Sequence, residues 1–175
     1  MRMIGLAGWS GAGKTTLLTR VIPLFVARGL RVSTIKHAHH SFDVDVPGKD
    51  SWQHREAGAS EVMVSSGRRF ALMRELRGEP ELTLPELLAK MSPVDLLIVE
   101  GFKADRHPKV EVHRAANDKP FLHPRDSAIV GLATDASPTA DIPTVHLDDI
   151  VGIAAMMERL AAPLDEILAR EAADH

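Results

Sequence analysis

The sequence predicts an α/β fold with three layers, α/β/α, in which a mainly parallel sheet forms the middle layer. Apolar runs of strand length alternate along the 175 residues with stretches of helical periodicity, a pattern typical of parallel sheets with crossover helices. The run 95–100 is almost wholly apolar inside, as expected of a central strand covered on both faces. The length suits one domain, which we expect over residues 1–162, with residues 163–175 as its C-terminal helical tail.

The first half of the chain begins with a predicted buried strand over residues 3–7, followed by a glycine-rich turn. Apolar residues from Leu17 to Phe25 recur on one face of a predicted helix over 14–28. Pro23 lies within this helix and predicts a kink or break there. The other elements predicted in this half are a strand over 31–36, a helix over 50–57 and strands over 61–65 and 70–75.

The second half begins with Thr83 and Glu86, which have the spacing of a capping box and predict a helix over 84–91. After the apolar strand 95–100, Asp148 or Asp149 is predicted to cap a helix that reaches residue 160. The other elements predicted in this half are strands over 109–113, 128–133 and 144–147 and a short amphipathic helix over 163–173.

A phosphate-binding loop follows the first strand. Residues 8–15, GWSGAGKT, match G-x-x-x-x-G-K-[ST] in full between a predicted strand and a predicted helix, the context that confirms this motif. In such loops backbone N–H groups surround phosphate oxygens at a helix N-terminus. The sequence therefore predicts a nucleoside triphosphate site in a P-loop NTPase-type fold, with Lys14 as the catalytic cation on the β- and γ-phosphates. The predicted nucleotide contacts are Gly8, Trp9, Ser10, Gly11, Ala12, Gly13, Lys14, Thr15 and Thr16.

Glu100 is the predicted second acidic element of this site. It ends the apolar strand 95–100 and a glycine follows it. P-loop proteins place an acidic residue at this point, where it holds Mg²⁺ directly or through water. We therefore expect Thr15 and Glu100 to bind Mg²⁺, the alternative being a strand-end carboxylate that faces solvent.

The segment 36–51, KHAHHSFDVDVPGKDS, is rich in histidine and aspartate. These side chains are numerous enough to bind a transition metal, but their spacing fits no standard zinc pattern. Because ligands of an open parallel sheet bind beyond the carboxyl ends of its strands, we expect a switch or substrate loop near the γ-phosphate or a second substrate. A transition-metal site and a merely solvated loop are the alternatives.

Three segments together resemble the MobB family of molybdopterin-guanine dinucleotide biosynthesis adaptor proteins. They are the phosphate loop, the stretch 36–59 and the run 99–103, VEGFK. The residues of the middle stretch that carry the resemblance are His37, His39, His40, Phe42, Asp43, Asp45, Pro47, Gly48, Asp50, Ala57, Gly58 and Ala59. The resemblance covers residues 3–160, and its middle segment is more specific than the phosphate loop.

The resemblance implies a homodimeric GTP-binding protein that depends on Mg²⁺ and has weak GTPase activity. It implies that the protein assists the nucleotidyltransferase MobA, which joins GMP to molybdopterin. Carried over by position, residues 8–16 hold the phosphates of GTP, and Thr15 with Glu100 organises Mg²⁺. Asp45 and Asp50 are the candidates for metal or water contacts on the γ-phosphate side. The pair Arg68 and Arg69, with the strands beside it, is a candidate for the dimer interface.

Asp135 is the candidate for guanine recognition. It ends a predicted strand, where a carboxylate can accept from guanine N1–H and N2–H₂, although the full Asn-Lys-x-Asp signature of many GTPases is absent. The alternative is that Thr134 and Asp135 begin a turn.

A basic cluster follows Glu100 and is made of Lys103, Arg106, His107 and Lys109. It is either a solvated loop or a site that binds the phosphate of molybdopterin or an acidic surface of a partner.

The composition excludes several function classes. The chain has no cysteine, so thiolate zinc sites, iron–sulfur clusters and cysteine nucleophiles are excluded. The formal charge is −3, with both signs spread along the chain and no basic stripe of the kind that binds nucleic acid. No apolar run approaches the roughly 18 residues of a membrane span, so we expect a cytoplasmic protein. A small-molecule kinase and a nucleotide-ordered binding module without turnover remain alternatives to a GTPase.

Overall fold

The computed structural model describes residues 1–38 and 42–173, the last three of these as backbone only. His39 and His40 of the predicted histidine-rich loop lie outside the described residues. The strands are β1 (Arg2–Ala7), β2 (Val32–Lys36), β3 (Glu61–Ser65), β4 (Phe70–Arg74), β5 (Leu96–Glu100), β6 (Lys109–His113), β7 (Ile129–Thr134), β8 (Thr144–His146) and β9 (Ala162–Pro163). The helices are α1 (Lys14–Ala27), α2 (Asp50–Glu56), α3 (Leu84–Leu88), α4 (Ile150–Leu160) and α5 (Leu164–Ala173).

The chain forms two compact units, one made of Met1–His37 with Met91–His175 and the other of Ala38–Lys90. The assignment of residues 1–162 to one domain remains a prediction. None of the described helices is long and apolar enough to cross a bilayer.

The first unit contains a sheet with the strand order β2-β5-β1-β6-β7-β8. All neighbours along this path pair in parallel, and the short β9 pairs antiparallel with the first residues of β1. The predicted fold class, an α/β fold with a mainly parallel sheet and flanking helices, is confirmed. The sequence did not predict β9, which is too short to show a strand pattern.

One face of this sheet packs against α1 and α4. Leu17, Val21 and Phe25 of α1 join Ile153 and Met157 of α4 in one buried cluster with the sheet. Full burial of each such large side chain contributes about 1.5–3 kcal/mol, so this layer fixes α1, and with it the loop that precedes α1. The opposite face is also covered, since its residues Met3, Leu97, Val99 and Leu132 are fully buried.

Pro23 does not break α1, which runs unbroken through it. Pro23 removes the hydrogen bond that its own N–H would make to the Thr19 carbonyl. Both residues lie on the exposed side of the helix, so water can satisfy that carbonyl while the buried side holds the helix together. Of the predicted kink or break at Pro23, the break is absent for this reason.

The predicted caps of α3 and α4 are present in the structure, but α3 does not end where the sequence predicts. Thr83 and Glu86 form the predicted capping box of α3, and of the two aspartates it is Asp149 that caps α4, accepting from Gly152 N–H at 2.8 Å. Helix α3 ends at Leu88, three residues earlier than predicted. Residues 89 and 90 are exposed, so no buried apolar side chain directly follows Leu88 to extend the helix.

The second unit contains an antiparallel hairpin of β3 and β4 and the helices α2 and α3. Within the described residues, β3 and β4 pair only with each other. Met63, Phe70 and Leu72 of this hairpin are exposed. Such an isolated two-stranded sheet is marginally stable in water unless something packs on it.

Candidate functional site

The phosphate loop lies at the point where the sheet topology reverses direction. From β1 the chain first builds β2 and β5 on one side, and then β6, β7 and β8 on the other. Ligands of open α/β sheets bind beyond the carboxyl ends of the strands at such a switch point. The loop 8–13, which follows β1, therefore occupies the position expected of a ligand site.

Glycines give this loop its backbone path. Gly8 has φ +143°, and a Cβ there would collide with the Val112 carbonyl of β6. Gly13 has φ +94° and directly precedes α1, where side chains other than glycine are strained. The Ala12 N–H donates to the Trp9 carbonyl at 3.2 Å, which closes the loop on itself. Only glycine fits both positions, so the motif is required by the local geometry.

The Lys14 side chain folds back onto the first residues of this loop. Its ammonium donates to the Gly8 carbonyl at 2.8 Å and to the Trp9 carbonyl at 3.1 Å. Burial lowers the pKa of Lys14 below its ordinary value of 10.5, and the carboxylate of Glu100 opposes that shift. The positive charges of Lys103 and Lys36 lower it further. The side chain is thus a cation held beside the phosphate loop and surrounded by other charges.

Glu100 lies at the end of β5, beside both β1 and β2. It is opposite Leu6 of β1 and opposite Lys36 of β2, and it is partly buried. Thr15 is exposed in the first turn of α1. Its hydroxyl and the Glu100 carboxylate are oxygen donors of the kind that Mg²⁺ prefers, and Mg²⁺ at nucleotide sites commonly takes few protein ligands. The residues present therefore fit this ion.

The segment 114–120, after β6, is attached to the phosphate loop. The Trp9 indole N–H donates to the Pro120 carbonyl at 2.8 Å, and the Asn117 amide donates to the Ser10 carbonyl at 3.3 Å. The Arg114 guanidinium lies next to Gly13, where an added Cβ would be 3.6 Å from Nη2. Sequence reasoning missed this segment, because only the strand order shows that β6 lies beside β1.

Asp135 is engaged with that same segment. Its carboxylate accepts from the Ala115 N–H at 2.7 Å and lies 3.6 Å from the Arg114 guanidinium. The Ala115 hydrogen bond is the main cause that holds the pKa of Asp135 below its usual range. This bond fits the alternative role, in which Asp135 orders a turn.

Strand β6 presents polar side chains that are buried. Glu111 accepts from the N–H groups of Leu122 and His123 at 2.8 and 2.9 Å, and His113 contacts the Lys119 carbonyl at 2.9 Å. The Phe121 ring stacks on His113, with centroids 3.8 Å apart. These contacts fix the chain on both sides of Phe121 to the sheet, and with it the segment that reaches the phosphate loop.

The predicted basic cluster after Glu100 is not one surface. Lys109 is 2% exposed, and its ammonium donates to the carbonyls of Lys103 and Asp105 and to the Asp126 carboxylate. His107 is fully buried, and burial lowers its pKa to about 4, which keeps the ring neutral. The prediction that these two residues belong to a solvated or phosphate-binding loop was therefore wrong. Lys109 instead holds the loop that follows β5.

Asp45 and Asp50 lie in the second unit. Asp45 accepts from the Ser51 hydroxyl at 2.8 Å and from Arg55 Nε at 3.3 Å. Arg55 also pairs with Asp43 at 2.8 Å and with Glu75 at 2.7 Å. The hydrogen bond from the Ser51 hydroxyl is the largest of the causes that keep the pKa of Asp45 low. Asp50 is exposed in the first turn of α2. Arg55 thus joins three carboxylates, a network that sequence reasoning did not find.

His37 is the last residue of the first unit in this part of the chain. Its N–H donates to the Glu100 carbonyl at 2.8 Å, and its ring lies 5.1 Å from that of Phe102. In residues 1–38 and 42–173, no three histidine, aspartate or glutamate side chains form a group that could hold a metal ion.

Comparison with known proteins identifies the family. A family model described as "MobB: Molybdopterin guanine dinucleotide synthesis protein B" matches residues 3–135. The chain belongs to the MobB family. The matched residues include the phosphate loop, Glu100 and Asp135 of the first unit and the Arg55 network of the second.

Two relatives in the MobB family are similar over most of their length. Both are named "Molybdopterin-guanine dinucleotide biosynthesis adapter protein". The Escherichia coli (strain K12) protein is 42% identical over 155 residues, which cover 87% of this chain and 89% of the relative. The Haemophilus influenzae protein is 39% identical over 156 residues, covering 89% of this chain and 87% of the relative.

Solved structures agree with the MobB fold. A crystal structure titled as molybdopterin-guanine biosynthesis protein B superposes with a TM-score of 0.71 at 28% identity, covering 90% of this chain and 99% of that one. Bacillus subtilis MobB, at 22% identity, gives a TM-score of 0.69 over 91% of this chain and 98% of its own. This second likeness concerns the fold alone.

Proposed function

We propose that this chain is a Mg²⁺-dependent GTP-binding adapter protein with weak GTPase activity that acts in molybdopterin-guanine dinucleotide biosynthesis. The observation that carries the proposal is the complete phosphate loop at the switch point of the sheet, with the Lys14 ammonium held on the Gly8 carbonyl of that loop. Relatives named as adapter proteins of this pathway support the biological role.

The phosphates of GTP bind to the N–H groups of residues 8–16 and to Lys14. The Lys14 ammonium exchanges its contacts with the Gly8 and Trp9 carbonyls for phosphate oxygens, which offer it full negative charge. Thr15 and Glu100 hold Mg²⁺, which neutralises charge on the β- and γ-phosphates when it is bound. GTP is preferred to ATP in this proposal because the family's product contains guanine.

Weak hydrolysis is consistent with the state of Asp45, one of the two candidate carboxylates in the second unit. A carboxylate that orients water needs unused acceptor sites, and Asp45 already accepts three hydrogen bonds, from Ser51 and the Val46 N–H at one oxygen and from Arg55 at the other. In this proposal Asp45 acts on the γ-phosphate side only after a partner loosens the Arg55 network, and Asp50, which lies outside that network, acts there together with it. A MobA-type nucleotidyltransferase is that partner, and molybdopterin is a further candidate ligand.

We also propose a homodimer. The apolar hairpin formed by β3 and β4 exposes Met63, Phe70 and Leu72 on one face, with Met63 directly opposite Leu72. Both strands have unpaired outer edges within the described part of the second unit. A second copy of this hairpin, which has the same apolar face, is the occupant that covers it.

Calorimetric titration with GTP and with ATP, each with and without Mg²⁺, tests the nucleotide assignment. We expect GTP to bind more tightly than ATP, Mg²⁺ to strengthen the binding of GTP, and Lys14→Ala to weaken it by at least about tenfold through loss of a charged contact. Lys90→Ala, an exposed lysine of the second unit, is the matched control and should bind as wild type does. Tight binding of ATP without binding of GTP would overturn the proposal.

The rate of GTP hydrolysis with and without a MobA-type transferase tests the adapter assignment. We expect slow turnover alone and faster turnover with the partner. A rate that the partner leaves unchanged contradicts the proposed role of Asp45 and Asp50. Absence of turnover both with and without the partner favours a binding module in which the nucleotide only orders the protein.

A further inference from the structure

Arg114 is a charged residue beside the phosphate loop that the chemistry above does not use. It directly follows β6, the strand that pairs with β1 on the side away from β5. Lys14 is influenced by charges at the last residues of β2 and β5 and just after β5, so Arg114 approaches the loop from a different side of the site.

The guanidinium of Arg114 is close to the last glycine of the loop. A Cβ added to Gly13 would lie 3.6 Å from its Nη2 and 4.0 Å from its Nε. The N–H groups at this end of a phosphate loop, next to the first turn of the helix, face the α- and β-phosphates. The Arg114 side chain is 43% exposed, so it is accessible to an anion that enters the loop.

The position of Arg114 is fixed by its neighbours in the chain. His113 pairs in register with Thr134 of β7, so Arg114 and Asp135 leave their strands side by side. Asp135 accepts from the N–H of Ala115 at 2.7 Å, and Asn117 binds the Ser10 carbonyl. The chain on the C-terminal side of Arg114 is therefore attached to the residue that follows β7 and, through the Asn117 side chain, to the phosphate loop itself.

The ion pair of Arg114 with Asp135 does not by itself explain this arrangement. The charged atoms are 3.6 Å apart and both side chains are partly exposed, and such pairs stabilise a fold little. A guanidinium in this place carries a permanent charge and a planar set of donors that suits two phosphate oxygens at once.

We propose that Arg114 binds the α- or β-phosphate of the nucleotide, as a binding residue supplied by the segment after β6, with Asp135 as its positioning residue. This inference rests on the proposed nucleotide binding. It differs from that proposal in a measurable way, because a contact to the α- or β-phosphate serves GDP as well as GTP, whereas a contact to the γ-phosphate serves GTP alone.

The test is calorimetric titration of the full chain with GTP and with GDP, for wild type, Arg114→Gln and Arg114→Lys. We expect Arg114→Gln to weaken both nucleotides by the same factor, about 10- to 100-fold, as for loss of one charge-assisted contact. Arg114→Lys, which keeps the charge but loses the planar donors, should fall between. Arg125→Gln removes the same charge from an exposed residue near this segment and should match wild type.

Thermal unfolding of each variant without nucleotide separates binding from folding. We expect Arg114→Gln to unfold within a few degrees of wild type, as surface substitutions usually do. Wild-type affinity of Arg114→Gln for both nucleotides, or a loss confined to GTP, overturns the inference while the proposed function stands. If wild type binds neither nucleotide, the proposed function itself fails, and the inference with it.

Discussion

The indole N–H of Trp9 donates a 2.8 Å hydrogen bond to the Pro120 carbonyl, so the phosphate loop is attached by a side chain to the segment that follows β6. The two residues are 111 positions apart in sequence. Because the Asn117 amide makes a second contact to the Ser10 carbonyl, the shape of the loop depends on that segment as well as on its own glycines.

Trp9→Phe should weaken nucleotide binding by about two- to tenfold. The substitution keeps an aromatic ring and removes one neutral hydrogen bond, typically about 0.5–1.5 kcal/mol. Calorimetry measures the effect, and Trp52→Phe, in α2, is the control with the same change of residue. Equal losses in the two variants would show that the Trp9–Pro120 bond has no special part in shaping the loop.

Lys109→Met should lower the free energy of unfolding by about 2–4 kcal/mol. The buried ammonium donates to the Lys103 and Asp105 carbonyls and to Asp126, and its removal leaves these acceptors without a donor. Urea unfolding followed by circular dichroism measures the change. Lys90→Met, at an exposed position, should change the stability by less than about 0.5 kcal/mol, and a similar loss there would contradict the assignment.

Arg55→Gln should make the second unit less stable, and the difference from wild type should disappear in acid. The pKa values of Asp43 and Asp45 are held low, that of Asp43 mainly by Arg55 and that of Asp45 mainly by Ser51 with a smaller part from Arg55. A carboxyl whose folded pKa is depressed contributes stability above its ordinary pKa, near 4, and loses it as the pH falls through the folded value. Melting temperatures between about pH 7 and pH 2 test this. A constant difference across that range would show that Arg55 acts by packing alone.

Glu100→Gln should shift the alkaline loss of nucleotide affinity to lower pH. Burial lowers the pKa of Lys14 and the Glu100 carboxylate opposes this shift, so removing that charge lets Lys14 lose its proton at a lower pH. Affinity should therefore fall earlier as the pH rises, in titrations made without Mg²⁺ so that metal binding does not contribute. In Lys14→Ala this alkaline loss should be absent, and its persistence there would assign the effect to another group.

Asp135→Asn should weaken GTP and xanthosine triphosphate alike. Its carboxylate accepts from the Ala115 N–H and lies beside Arg114, so the variant disturbs the segment and leaves base preference unchanged. Competition between the two nucleotides measures the preference. A switch in favour of xanthosine triphosphate would instead show that Asp135 reads the guanine base.

Phe70→Glu should convert the proposed dimer into a monomer. It places a charge on the apolar face shared with Met63 and Leu72, where a second hairpin would bury it. Light scattering after size-exclusion chromatography measures the mass. Val151→Glu, at an exposed apolar residue of the first unit, is the control, and a dimer that survives Phe70→Glu would place the interface elsewhere.

Local signals in the sequence were sufficient for the fold class and for the backbone path of the phosphate loop. The phosphate loop is a contiguous motif whose glycines are required by backbone geometry at Gly8 and Gly13, and the capping box of Thr83 and Glu86 is equally local. Pro23 shows the limit of such reasoning, because its cost depends on which side of α1 is exposed. That side is decided by the residues that pack against the helix.

Strand β6 shows most clearly what the sequence leaves open. Its residues KVEVH alternate polar and apolar, a pattern typical of a strand with one face in water, yet all five are buried. The groups that satisfy Lys109, Glu111 and His113 are mostly backbone atoms of loops. Residues of almost any type can supply these backbone groups, so no sequence pattern predicts them.

The sequence by itself determined the phosphate loop, the helix that follows it, the acidic residue at the end of an apolar strand and the membership of the MobB family. Tertiary structure alone decided that Glu100 lies opposite Lys36, that Arg55 joins three carboxylates and that Arg114 lies beside Gly13. The physical reason is the separation in sequence between the residues that interact. A glycine turn or a helix cap is fixed by neighbouring residues, whereas strand order depends on pairing between segments that are distant in the chain.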